Sequence, residues 1–204
     1  MLLYLLTYLL AAQTQDLRPT LVILGDSLAE GYGVADGKCF PDGIQRRLDR
    51  SGFKYRVVNL GVSGDTTTGG LGRLTYALSL KPRILVLELG GNDGLRGIPV
   101  ARTKANLEQM IVMAQKQGAQ VLLAGMTLPP NYGVDYIRSF ENVYKDLASK
   151  YKTPLIPFLM SSIRDQFASN PGLMQRDGIH PTAAGHELIA DTVMGYLKKM
   201  LRRS

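Results

Sequence analysis

Two histidines occur in the 204 residues, and one of them, His180, lies in the run Asp177-Gly178-Ile179-His180-Pro181. Far upstream an apolar run, Leu21-Val22-Ile23-Leu24, ends in Gly25-Asp26-Ser27-Leu28. Between them lie Ser63-Gly64-Asp65-Thr66 and Gly90-Gly91-Asn92-Asp93. A serine hydroxyl is a poor nucleophile at neutral pH. It needs a base within hydrogen-bond reach, and the base needs a partner that fixes its tautomer. His180 can be that base, and Asp177, three residues earlier, can meet Nδ1 through one turn. Attack on an acyl carbonyl also requires donors for the oxyanion. The backbone N–H groups of Ser27 and Gly64 and the side-chain amide of Asn92 are the candidates, one such donor being worth roughly 3 kcal/mol of barrier. The chemistry these residues suit is acyl transfer to a serine, with neither metal nor cofactor.

The remaining polar residues read more plainly. His186 falls inside the last helix and is expected to pack or face solvent. Asp65 and Asp93 are expected to serve turns or caps. Asp26 neighbours Ser27 too closely to aim at the same histidine. Local hydrogen bonding is expected of it, together with a place beside the substrate. Cys39 is the single cysteine; it can form no internal disulfide and reads as a small packed residue. No second histidine accompanies His186-Glu187 as in a zincin, and neither a P-loop nor a full G-x-G-x-x-G is present.

The elements that must position these groups alternate. Apolar runs closed by glycine predict strands at 20–24, 55–60, 83–89 and 120–124, with a short fifth at 153–156. Helical spacing falls at 40–50, from the caps Thr66-Thr67-Thr68 to Ser79, from Pro99 to about Gln117, at 135–150, near 161–167, and from Thr182 to about Leu201. Five alternations predict a three-layer α/β/α domain with a five-stranded parallel, flavodoxin-like sheet. Ser27, Gly64, Asn92 and Thr127 each follow a predicted strand and so share one rim. The long loop 168–181 can bring Asp177 and His180 back to it. The loops near Leu95–Pro99 and Leu128–Tyr132 are expected to line an acyl groove. Asp26, Leu95, Pro129, Pro130, Tyr132 and Ile179 are the substrate-binding candidates.

Length predicts one domain over 16–204. Residues 1–15 are set apart, because Leu2–Ala12 is almost wholly apolar. That run is too short to span a bilayer but fits a signal or anchor remnant. It suggests a periplasmic or secreted protein, although no basic residue precedes the run and the cleavage pattern is weak. A cytoplasmic protein with an ordinary N-terminal element is the alternative. The net charge is +7, and four of those charges are Lys198, Lys199, Arg202 and Arg203. A basic last turn complements the helix macrodipole; contact with an anionic membrane surface or an acidic substrate is the other reading. Nucleic-acid binding is not expected, since no basic stripe is interleaved with aromatics.

The four blocks quoted above, in this order and spacing, resemble the SGNH or GDSL hydrolase family over some nine-tenths of the chain. The usual G-x-S-x-G elbow is absent, because Ala29 follows Ser27 at the second position. Within the family, Gly90–Gly97 and Leu128–Gly133 look closest to the bacterial multifunctional esterase, thioesterase and lysophospholipase group. The resemblance implies the roles assigned to Ser27, Gly64, Asn92, Asp177 and His180, and a loop after Asn92 that responds to acyl chains. It implies aryl and short-to-medium acyl esters, acyl thioesters or lysophospholipids as substrates. A carbohydrate acetylesterase is the nearest rival, disfavoured by the absence of tryptophan. A non-catalytic flavodoxin-like binding module and a membrane-anchored scaffold are rivals of other classes.

Overall fold

The computed structural model describes residues 16–203, so the expectation for residues 1–15 lies outside the described residues. The strands are β1 (Thr20–Gly25), β2 (Arg56–Gly61), β3 (Ile84–Glu88), β4 (Gln120–Ala124) and β5 (Leu155–Ile156). They form one parallel sheet in the order β2-β1-β3-β4-β5. Every residue of β1 and β3 is buried, as the near-continuous Val/Ile/Leu runs of a doubly covered parallel sheet require. Edge strand β2 is only half-buried, with Asn59 exposed.

The principal helices are α1 (Ser27–Glu30), α2 (Phe40–Arg50), α3 (Thr67–Ser79), α4 (Gly91–Leu95), α5 (Val100–Lys116), α6 (Val134–Tyr151), α7 (Ser161–Gln166) and α8 (Ala183–Leu197). With right-handed crossovers, α2 and α8 cover one face, while α3, α5 and α6 cover the other. The predicted helix at 40–50 has those bounds in the structure, and the strands agree within a residue or two. Two short helices, α1 and α4, were not foreseen: four or five residues are too few to show a period. The last helix ends at Leu197, earlier than Leu201, where the chain turns back towards Tyr55. Arg202 N donates to Tyr55 Oη at 3.3 Å. Strand β5 keeps only two residues, since Pro154 has no N–H to give to a ladder. Among the described residues no helix is long and apolar enough to cross a membrane.

The sheet order reverses between β1 and β3, which are hydrogen-bonded neighbours leading in opposite lateral directions. In open α/β sheets the crevice at such a switch point, outside the carboxyl ends, is where ligands bind. Ser27 follows β1 and Asn92 follows β3, so both stand at this crevice.

Candidate active site

The sharp turn after β1 is capped by Asp26, whose Oδ1 accepts from Leu28 N at 3.0 Å. Ser27 is then the first residue of α1, where a backbone N–H has no intrahelical acceptor. The second block is tied to the same point: Val62 N donates to Gly25 O at 3.1 Å. Gly64 takes a left-handed φ of 76° in this loop, and its carbonyl accepts from Arg96 Nη2 at 2.9 Å. After β3, Gly90 has φ 114°, and a Cβ there would come within 2.2 Å of Tyr144 Oη. A side chain at that position would therefore push α6 off the turn that carries Asn92.

The structure brings Ser27, His180 and Asp177 into one hydrogen-bonded row. His180 Nε2 lies 2.9 Å from Ser27 Oγ, and His180 Nδ1 lies 2.7 Å from Asp177 Oδ2. Asp177 Oδ1 also accepts from Ile179 N at 2.9 Å and His180 N at 3.0 Å. Partial burial would raise the Asp177 carboxyl. The His180 backbone N–H, its ring and the Ile179 N–H outweigh that and hold it at about 2. An ionised Asp177 accepts a hydrogen bond from Nδ1–H and so keeps the proton on that nitrogen, which leaves Nε2 to accept the Ser27 hydroxyl proton. The Tyr32 ring leans on His180 at a centroid distance of 4.6 Å.

Asn92 is half-buried, and its Nδ2 donates to Asp26 Oδ2 at 3.2 Å. Asp26 itself is buried. It does not meet the open surface, in contrast to the expectation of a substrate-binding residue, because both of its oxygens are turned inward. Burial pushes its carboxyl up to about 6 against the pull of the Leu28 and Asn92 donors. Behind it lies Glu88, wholly buried at the end of β3, whose Oε2 accepts from Asp26 N at 3.2 Å and whose Oε1 has no partner. Burial first and the Asp26 charge second push Glu88 far above the usual carboxylate range. Asp93, expected at a turn or cap, caps the first N–H of α3 from a distance, accepting from Thr67 N at 2.8 Å, and as a buried tie it also accepts from Thr103 Oγ1 at 3.3 Å, joining α3, α4 and α5.

The other candidates divide. Leu95 and Tyr132 meet, since Tyr132 Oη donates to Leu95 O at 2.8 Å, and Tyr136 Oη donates to Gly94 O at 3.2 Å. Pro129, Pro130 and Ile179 are exposed. Thr127, on the same rim, gives its hydroxyl to Glu141 Oε1 at 2.6 Å. His186 is buried against Phe40, its Nδ1 accepting from Phe40 N at 3.2 Å. Cys39 gives its thiol to Asp42 Oδ2 at 2.8 Å, and burial first, then Asp42, pushes it up to about 12, far from a nucleophilic thiolate.

Sequence reasoning missed Gln175 and Glu88. Gln175 Nε2 donates to both Tyr32 O (2.8 Å) and Pro181 O (2.9 Å), and its N–H to His180 O (2.8 Å). It thereby couples the loop after α1 to the histidine loop. Nothing local marks it. Glu88 had a signal, as one carboxylate in an otherwise apolar buried strand.

The chain is similar to several known proteins. The model of the GDSL-like lipase/acylhydrolase family matches residues 23–188. Esterase TesA of Pseudomonas aeruginosa is 43% identical over 200 residues, covering 98% of this chain and 94% of that protein. Thioesterase 1/protease 1/lysophospholipase L1 of Escherichia coli K12 is 38% identical over 183 residues, covering 89% of this chain and 85% of that one. The crystal structure of the psychrotrophic esterase EstA from Pseudoalteromonas, inhibited by monoethylphosphonate, superposes with a TM-score of 0.82 at 32% identity, covering 88% of this chain and 97% of that one.

Proposed function

The chain belongs to the GDSL-like lipase/acylhydrolase family, and we propose that residues 16–204 act as one hydrolase domain, a serine esterase working through an acyl-enzyme. The observation that carries this reading is the unbroken row Ser27 Oγ, His180 Nε2, His180 Nδ1, Asp177 Oδ2. Ser27 Oγ attacks the acyl carbonyl as His180 Nε2 takes its proton, and Asp177 stabilises the imidazolium without itself becoming protonated. The oxyanion is held by the N–H groups of Ser27 and Gly64 and by Asn92 Nδ2. Collapse expels the alcohol or thiol with the proton from His180. Water then repeats the sequence in reverse and frees the acid and the serine.

Leu95, Pro129, Pro130, Tyr132 and Ile179 line the approach of the acyl chain, and Asp26 acts by orienting Asn92. Aryl and short-to-medium acyl esters suit a rim on which Pro129, Pro130 and Ile179 stand exposed. The names of the relatives support acyl thioesters and lysophospholipids as further substrates, and the apolar run Leu2–Ala12 supports export to the periplasm or medium. The test is hydrolysis of p-nitrophenyl esters and acyl thioesters of increasing chain length, with fluorophosphonate labelling, by the protein and by Ser27→Ala. Loss of both turnover and label in the variant is expected; equal rates would end the proposal.

A further inference from the structure

A parallel sheet gives a molecule two unlike ends. Here the helices run back to the amino end of the strands, and exposed cations cluster there. Arg50 and Lys116 are the last residues of α2 and α5; Lys81 follows α3, Lys152 caps α6 and Lys198 caps α8. The strand starts add Arg18, Arg56 and Arg83. Backbone bonds from Arg56 N to Pro19 O (3.0 Å) and from Arg83 N to Thr20 O (2.8 Å) set these side by side. The tail brings Lys199, Arg202 and Arg203 to the same end, where the Arg203 guanidinium lies 5.7 Å from the Phe53 ring centroid.

Asp16 and Asp49 are interspersed in these segments, and Asp191 feels the charges of Arg50 and Lys198. Asp16 pairs with Arg18 at 2.7 Å and with Arg56 at 3.8 Å. Among the described residues, Arg50, Lys81, Arg83, Lys116, Lys152 and Lys198 form no ion pair with a carboxylate. The opposite rim mixes Glu30, Asp36, Asp42, Asp65 and Asp177 with Lys38, Arg96, Arg102, Arg138 and Arg176. The excess of positive charge thus lies at the amino end of the strands.

Complementing helix macrodipoles accounts for one cation per helix end. It does not account for Arg83 at a strand start, or for Arg202 and Arg203 beyond the last helix. One exposed apolar side chain lies at the same end, Leu17, which is 87% exposed, and in the sequence the apolar run Leu2–Ala12 precedes Asp16. A nucleic acid gives no reason for either; a lipid surface gives a reason for both. We propose that this basic end docks on an anionic phospholipid surface and holds the catalytic rim turned away from it. Docked this way, the enzyme meets its acyl substrates from the aqueous side. The proposal does not depend on which ester is hydrolysed.

The test is co-sedimentation of the full chain with phosphatidylcholine vesicles, with and without phosphatidylglycerol. Binding that needs phosphatidylglycerol and fades with salt is expected. A variant carrying Lys198→Glu, Lys199→Glu, Arg202→Glu and Arg203→Glu should partition at least about a hundredfold more weakly, as each basic group contributes about fivefold. A variant of equal net charge, with Arg102→Glu, Arg138→Glu, Lys145→Glu and Arg164→Glu, should keep most of the binding. Turnover of a soluble ester reports that each is folded. Should the tail variant fail to fold, Arg50→Gln with Lys81→Gln and Lys116→Gln takes its place. Equal binding to both vesicle types overturns the proposal, as does equal loss in the two quadruple variants. So does a tail variant that loses duplex DNA binding while vesicle binding stays.

Discussion

Asn92 reaches back 66 residues to give its amide proton to Asp26 Oδ2 at 3.2 Å. Asp26, the residue before Ser27, therefore fixes the Asn92 amide, the oxyanion donor of the proposed mechanism, from behind. Glu88 presses on Asp26 from below and receives its backbone N–H.

Asp26→Asn is expected to lower kcat by about 10²- to 10³-fold, the cost of one misaligned oxyanion donor. An amide has a single oxygen, so it can serve Leu28 N or Asn92 but hardly both. KM should move little. Stability should move the other way. The folded-state carboxyl sits at about 6 against a usual value of 3.8. As pH rises between those values the unfolded chain has released a proton that the folded chain retains, so Asp26 costs stability, fully so above about 6. Melting curves should show the variant gaining on the parent from pH 4 to pH 8.

Asp177→Asn should lower kcat by roughly 10³- to 10⁴-fold through the wrong imidazole tautomer. Because Asp177 is held at about 2, it stays ionised throughout the pH range in which esters are assayed. The pH–rate profile of the parent between pH 4 and 9 should therefore contain no step that disappears in this variant.

Gln175→Ala removes the bonds to Tyr32 O and Pro181 O. The histidine loop then loses its link to the turn that follows the nucleophile. A fall in kcat of about tenfold with nearly constant KM is the expected outcome, from a base displaced by a fraction of an ångström. Steady-state kinetics separate this from global destabilisation, which would lower the active fraction and leave the turnover per labelled serine intact.

Tyr132→Phe deletes the bond to Leu95 O. If the loops bearing these residues hold acyl chains, KM for medium-chain esters should change several-fold while KM for an acetyl ester stays level. A chain-length series checks this.

His186 is held down at about 4 by burial first and by the His180 charge second. Between a usual value of 6.5 and about 4 the unfolded chain takes up a proton that the folded one refuses. Stability contributed by the neutral ring is thus whole above about pH 6.5 and is lost as pH falls towards 4, with a magnitude on the order of 3 kcal/mol. Urea titrations of the parent and of His186→Gln at pH 7 and pH 4.5 should show the parent losing more.

The sheet was legible because buried parallel strands are apolar runs and glycines close them. Helix 40–50 was legible because Ile44 and Leu48 keep helical spacing. The types and order of Ser27, Asp177 and His180 were equally plain. What escaped was whatever exists only through tertiary proximity. Gln175 looks like any loop glutamine until Tyr32, 143 residues away, arrives beside it. Asp26 looked available to substrate until the burial of the β1 turn became visible. The α1 and α4 turns are too brief for periodicity, although each begins at a residue singled out for chemistry or next to it.

Strands β1 and β3 are laddered neighbours, so the separation between the serine turn and the asparagine turn is set by the interstrand repeat of about 4.8 Å. Backbone amides, rather than loops, gauge the distance from Ser27 to Asn92. Insertions or substitutions in the rim loops can reshape the surroundings of these two residues while that gauge stays unchanged. A protein built so can change its diet without rebuilding its reaction centre.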